Sequence, residues 1–270
     1  MIELEQLLAE QTDKTIAVAV HDLPTRKEIC IQPDQSFHPA STIKVHVMME
    51  VFHQAEHGLF RLEDHLPITN SFTSIADGSS FSLAQEDDAE KTLYPRIGQT
   101  ESIRELTRLM IVRSSNLATN ILLERIQASK VNDFIQALGI PGVAVIRGIE
   151  DNAAFRLGIN NRATARGLTE TMKLIAEGKV ISTQACEDMI EILLGQEFNE
   201  SIPALLPGTA KVAHKTGWTG NVYHDTGIVY PEGRQPYAIS IMTRGFVEAQ
   251  EDEAHTCMAR ISKIVYDMLQ

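Results

Sequence analysis

KVAHKTGWTGNVYHDTGIVY, residues 211–230, reads as two β-strands back to back. Lys211–Thr216 and His224–Tyr230 are rich in strand-forming residues, and a Gly-containing turn separates them. Tyr237–Thr243 repeats the pattern beyond Pro231 and Gly233, so the end of the chain supplies three strands. Near the start, Thr15–Asp22 (TIAVAVHD) and Glu28–Gln32 read as two more, with Pro24 in the connection. Between these two sets lies a helical block. Two groups of strands split by helices are most simply joined in one antiparallel sheet, because hairpins need no crossover. The expectation is therefore an α+β fold, with a five-stranded antiparallel sheet covered by terminal helices and an all-helical part beside it. The sheet part spans residues 1–38 and 208–270, the helical part 39–207, within a single domain over 1–270.

The helical block has recognisable starts and stops. Pro39 opens a helix to His57, which ends at Gly58 and carries Ile43, Val47, Met48 and Val51 at helical spacing. Ser102 and Glu105 have capping-box spacing ahead of Ile103, Leu106 and Met110. Further helices fit Leu117–Leu122, Val131–Leu138, Arg166–Glu177 and Thr183–Leu194. Residues 142–165 read as irregular. Residues 69–99 are polar and acidic, long for a plain connection, and read as a functional loop or an insertion.

Composition narrows the function. The 270 residues are 43% hydrophobic and 22% charged, as in ordinary globular proteins, with a formal net charge of −12. Such a balance argues against nucleic acid as a partner, since phosphates call for a basic surface. No run approaches the roughly 18 apolar residues of a membrane span. Cys30, Cys186 and Cys257 are odd in number and far apart, which points to three reduced thiols rather than a disulfide framework or a zinc site. The N-terminus carries Glu3, Glu5 and Glu10 among its apolar residues and reads as an amphipathic helix, not a signal peptide, so a cytoplasmic location is expected.

Three short motifs carry chemistry. In Ser41-Thr42-Ile43-Lys44, positions i and i+3 of a helix share a face, so a hydroxyl and an amine can meet. Serine is a poor nucleophile until its proton is removed, and a lysine of lowered pKa can remove it. Ser114-Ser115-Asn116 opens a helix, where a hydroxyl can relay a proton and an amide can hold a substrate amide. Lys215-Thr216-Gly217 ends a strand, where positive charge, a bare backbone and an open strand edge can receive an extended ligand. Each motif alone is common. Their joint occurrence in this order is the set S-x-x-K, S-D-N, K-T-G.

On these motifs, and on the wording around them (HPASTIKV, LTRLMIVRSSNLATNILL, AHKTGWTGNVYHDTGIVY), the chain resembles the penicillin-binding-protein and class A β-lactamase superfamily from about Thr15 to its C-terminus. It is more like the class A-like serine hydrolases of cytosolic appearance than the secreted resistance enzymes. The resemblance implies an acyl-enzyme serine hydrolase acting on a small-molecule β-lactam, amide or ester, without cofactor or metal. It makes Ser41 the nucleophile, Lys44 its base and Ser114 the proton relay. Asn116 binds the substrate amide, and Lys215 and Thr216 hold its carboxylate or acyl chain. The backbone N–H groups of Ser41 and Trp218 form the oxyanion hole. Three departures stand out. Ser115 occupies the position where the family usually has Asp, which predicts looser local packing. The loop RGIEDNAAFRLGINNRATARG lacks the family's Glu-x-x-Leu-Asn wording, leaving Glu150 either the deacylation base or a surface acid paired with Arg147. The strand HDTGIVY has Asp225 and no Arg, so Asp225 either selects cationic or neutral substrates or is structural.

Other readings remain open: a cytosolic esterase or D-aminopeptidase-type amidase, and a module that is acylated without turnover. His53-Gln54-Ala55-Glu56-His57 also matches H-x-x-E-H, a zinc motif, although at a helix end and with no clear third ligand.

Overall fold

A computed structural model describes residues 2–270. The chain starts with α1 (Ile2–Ala9), then forms the hairpin β1 (Thr15–Asp22) and β2 (Glu28–Ile31). The helical block follows: α2 (Lys44–Glu56), then β3 (His65–Pro67), β4 (Phe72–Thr73), β5 (Ser80–Phe81) and β6 (Thr100–Ser102), then α3 (Ile103–Val112), α4 (Asn116–Ile126), α5 (Ala128–Ala137), α6 (Asn152–Arg156), α7 (Ala165–Ala176) and α8 (Thr183–Leu194). It returns as β7 (Lys211–Thr219), β8 (Val222–Tyr230), β9 (Tyr237–Arg244) and α9 (Glu251–Leu269).

The five long strands form one antiparallel sheet in the order β2-β1-β9-β8-β7. The two ends of the chain meet where β1 pairs with β9 along its whole length, Thr15 opposite Arg244 through Asp22 opposite Tyr237. Strand alternation sorts the apolar residues between two faces. Ile16, Val18, Val20, Tyr237, Ile239 and Ile241 pack under α1 and α9, against Leu4, Leu7, Met258, Ile261 and Val265. On the other face Ala17, Ala19 and Met242 meet Leu168 of α7. Ala213, Ile228 and Ala238 join the helical core there. Small residues on that face let α7 lie close, and Thr169 Oγ1 donates to Ala19 O at 3.0 Å.

At the centre of the helical core, α2 is buried on all sides from Lys44 to Phe52. A helix buried all round is normally apolar throughout. This one carries Lys44, His46, Glu50 and Gln54, so each must find a partner inside the protein. Gln54 Nε2, for example, donates to Glu50 Oε1 and to Ile126 O.

Several elements depart from the sequence reading. The helix expected from Pro39 begins as a 3-10 turn, Ala40–Ile43, and becomes α-helical at Lys44. Residues 142–165 include the short α6, capped by Asp151, whose carboxylate accepts from Ala154 N. The 69–99 segment is closed at its base by the β3–β6 pair and folded on itself by the β4–β5 pair. Strands of two or three residues carry no periodic signal. All three cysteines are free thiols, Cys186 and Cys257 buried.

Asp225, on β8, has no exposed surface. Its carboxylate accepts from His214 Nδ1 at 2.9 and 3.1 Å and from Ile202 N at 3.0 Å. Both oxygens are committed to the fold, which favours the structural reading of this residue. An Asp225→Ala variant should therefore lose on the order of 3 kcal/mol of stability, because it strands buried donors. Urea denaturation checks this; a loss below about 1 kcal/mol would return Asp225 to the list of substrate contacts.

Candidate active site

The three motifs converge where the edge strand β7 meets the start of α2 and the start of α4. Gly217 makes the first contact possible. A Cβ added there would lie 2.7 Å from Ser41 N and 2.8 Å from Thr42 N, closer than atoms can approach. Only a bare backbone lets the sheet edge reach the Ser41 turn, and this brings the N–H of Ser41 next to the strand that carries Trp218.

Lys44 is fully buried one turn beyond Ser41. Its Nζ donates to Ser114 O at 2.6 Å, Asn116 Oδ1 at 2.8 Å and Ser114 Oγ at 3.3 Å. Those three bonds use all three ammonium protons. If the group loses one proton, a lone pair becomes free to take the proton of Ser41. Burial pushes Lys44 down from the ordinary lysine value to about 7, with the charges of Asp88 and then Glu150 opposing that fall. Lys215 approaches the same hydroxyl from the sheet: its Nζ donates to Ser114 Oγ at 3.2 Å and to Thr216 O at 2.8 Å. Burial, then the neighbouring charge of Lys44, holds Lys215 well below the usual lysine range. Ser114 Oγ thus stands between two amines and can pass a proton either way. Thr216 Oγ1 is buried with no protein partner, a donor left over for a ligand oxygen.

Asn116 extends the network. Its Oδ1 serves Lys44, and its Nδ2 donates to Glu150 Oε1 at 3.2 Å. Glu150 is held from both sides. Before it, Asn120 clasps Ile149, accepting from its N at 2.8 Å and donating to its O at 2.9 Å. After it, Asp151 accepts from Ser74 Oγ at 2.7 Å and Ile75 N at 3.1 Å, which ties the loop to the 69–99 segment. Burial pushes the Glu150 carboxyl up; bonds from Ala84 and Asn116 oppose this, and Asp87 and Asp88 add to it. Arg147 is not its partner. That guanidinium donates to Asn160 Oδ1 and Gly148 O and stands 3.3 Å from His38 Nε2. Glu150 is therefore half-buried and bonded to Asn116 rather than paired with Arg147.

Backbone strain marks the same places. Among the described residues six non-glycines have positive φ, and three of them are Ala40, Ser114 and Glu150. Left-handed conformations cost of order 1–3 kcal/mol each and persist where the surroundings enforce them. Ser114 and Glu150 belong to the hydrogen-bonded network, and Ala40 immediately precedes Ser41.

Two residues escaped the sequence reading. Asp88 lies in the acidic run 86–88, yet it is buried and bonded to the start of α4. His38 accepts from Ala40 N at 3.2 Å just ahead of the nucleophile turn, and burial with Arg147 lowers it to about 4. Neither is a position of the three motifs; the contacts that join them to the site, Asp88 to the start of α4 and His38 to Arg147, are distant in sequence. The loosening expected at Ser115 is absent. Ser115 is fully buried and caps α4, its Oγ accepting from Ala118 N at 3.1 Å. As for the zinc motif, His53 stacks on Phe134 at 4.0 Å and bonds to Glu50, and no group of three ligands gathers among the described residues.

Known proteins share this arrangement of elements. In solved structures, PBP-A superposes with a TM-score of 0.85 at 23% identity, over 99% of this chain and 94% of that one. An ancestral class A β-lactamase of Gram-negative bacteria gives 0.83 at 21%, over 98% and 99%. In sequence, the extended-spectrum beta-lactamase PER-1 of Pseudomonas aeruginosa is 23% identical over 265 residues, 93% of this chain and 82% of that protein. A beta-lactamase of Bacillus amyloliquefaciens is 26% identical over 270 residues, 97% of this chain and 82% of its own. The beta-lactamase enzyme family model matches residues 2–269, nearly the whole chain, and the protein belongs to that family as a β-lactamase-like serine hydrolase.

Proposed function

We propose that the protein hydrolyses β-lactams or related amides and esters through an acyl-enzyme on Ser41. One observation carries the reading: a continuous chain of hydrogen bonds, Lys215–Ser114–Lys44–Asn116–Glu150, ends in a carboxylate of raised pKa and has the Ser41 turn at its side. Such a chain can supply a base for the first step and another for the second.

In acylation, neutral Lys44 takes the Ser41 proton while Oγ attacks the carbonyl carbon. The oxyanion forms against the backbone N–H groups of Ser41 and Trp218, where one such donor is worth on the order of 3 kcal/mol. Ser114 then gives its proton to the leaving nitrogen or oxygen and is resupplied from Lys44. Lys215 and the unpartnered Thr216 Oγ1 receive the substrate's carboxylate or acyl chain. In deacylation, Glu150 takes a proton from water as that water attacks the ester carbon, and as the bond to Ser41 breaks Glu150 gives that proton back to Ser41 Oγ, directly or by way of Lys44, which restores the carboxylate and the neutral amine. A carboxylate bonded into the site favours turnover over a lasting adduct; the penicillin G acyl-enzyme of a PBP-A variant on the same fold supports the acylation step only.

Three measurements test this. Ser41→Ala should lose all covalent labelling by a fluorophosphonate or penicillin probe while its circular dichroism is unchanged; labelling at the wild-type rate would refute the nucleophile. The wild-type acylation rate should rise with pH through about 7 and then level, because only neutral Lys44 accepts a proton and its pKa has been drawn down to that value. A flat profile from pH 5.5 to 8.5 would remove Lys44 as the base. Glu150→Gln should keep the acylation burst and slow the steady rate by about 100-fold or more. Unchanged turnover would assign the water's activation elsewhere.

A further inference from the structure

The Asp88 carboxylate is 1% exposed and comes from a segment that no catalytic motif includes. Its oxygens accept from Asn116 N at 3.0 and 3.0 Å, Leu117 N at 2.9 Å, Tyr94 Oη at 3.1 Å and Glu90 N at 3.1 Å. Asn116 and Leu117 are the first two residues of α4, and their N–H groups have no partner within the helix. Ser115, the N-cap, satisfies only the third, that of Ala118. Asp88 therefore completes the start of α4 from across the fold, in the place where an anion is favoured by the helix dipole.

That start is also where Lys44 is held. Two of its three acceptors, Ser114 O and Asn116 Oδ1, flank the peptide unit whose N–H Asp88 grips. Ser114 itself is strained, with φ +57, and needs an anchor to stay so. The groups facing Lys44 are Lys215 from β7, Ser114 and Asn116 from the start of α4, Glu150 from the loop before α6, and Asp88. Of the two anions, Asp88 has the larger effect on Lys44.

We propose that Asp88 is a positioning residue of the catalytic site: it fixes the Ser114–Leu117 turn against Lys44 and supplies, from outside the motifs, the negative charge that sets how readily Lys44 holds its proton. The 69–99 segment thereby acquires a function as the carrier of that carboxylate. A plain helix cap would do the first of these and not the second. The inference rests on Lys44 acting as the base for Ser41.

The experiment measures the rate of Ser41 labelling by a penicillin probe against pH in wild type, Asp88→Asn and Asp88→Glu. Without the charge, Lys44 becomes neutral at lower pH. The rising limb in Asp88→Asn should therefore move down by about half a unit or more. Its plateau should also fall roughly tenfold or more, as the turn loses its anchor. Asp88→Glu keeps the charge on a longer stem; its limb should stay at the wild-type position above a lowered plateau. A limb that is unmoved in Asp88→Asn, whatever the plateau, makes Asp88 a cap only. Should the Asn variant fail to fold, the Glu variant decides: a limb displaced downward despite the retained charge overturns the proposal. Absent labelling in the wild type would instead bring down the reading of Ser41, and this inference with it.

Discussion

The site is organised by the burial of a lysine. Lys44 sits in a helix surrounded by apolar side chains, and an amine there either loses its proton or must be given oxygen partners. The protein does some of each. Burial draws the group down to about 7, and the charges of Asp88 and Glu150 keep it from falling further, while acceptors from the start of α4 hold its N–H groups. An exposed lysine would remain protonated in neutral solution and could not accept the serine's proton. One buried without these partners would be too weak a base to take the serine's proton and hold it until it passes to Ser114. The spacing of α2 from α4, the anchoring of the 114–117 turn and the placement of Glu150 all follow from meeting this requirement.

Neither half of the molecule contains the site. The helical half brings Ser41, Lys44, Ser114, Asn116 and Glu150. The sheet brings Lys215, Thr216 and the backbone at Trp218. They meet at Gly217, where no side chain fits. The positive φ values at Ala40, Ser114 and Glu150 show where the meeting is costly, and the restoring forces are specific bonds: Ala40 N to His38, the α4 start to Asp88, Ile149 to Asn120. These bonds hold backbone rather than substrate, so His38 and Asn120 bear on the site's geometry without facing a ligand themselves.

What could be read from the sequence follows how local each interaction is. Ser41 with Lys44, and Lys215 with Thr216, lie within one turn or one strand end, so their spacing carries the chemistry and was legible. The five strands were legible because alternation and turn residues are local too. Asp88 was not: the 69–99 segment read as a functional loop or an insertion, and nothing local singled out one acid whose partners in α4 lie 28 and 29 residues away. Asp225 was ambiguous until the β7–β8 hairpin packed His214 against it. Glu150 was located by its neighbourhood in the chain, and its role depended on whether Arg147 would pair with it. Asn160 and Gly148 take that guanidinium instead, which leaves Glu150 to Asn116.

The acidic character of the chain acquires a local meaning here. A formal charge of −12 would by itself repel an anionic substrate. Around the site, however, the carboxylates are ordered by depth. Asp88 is buried and bonded to backbone, Glu150 is half-buried and turned to Asn116, and Glu86 and Asp87 lie outside. One amine, that of Lys215, and an unpartnered hydroxyl, that of Thr216, stand on the sheet side at the strand edge where a substrate carboxylate would lie. On the proposed reaction, the donors along β7 and the carboxylate of Glu150 would separate the two ends of an acyl-enzyme, with the substrate's carboxylate toward the sheet and the attacking water toward Glu150.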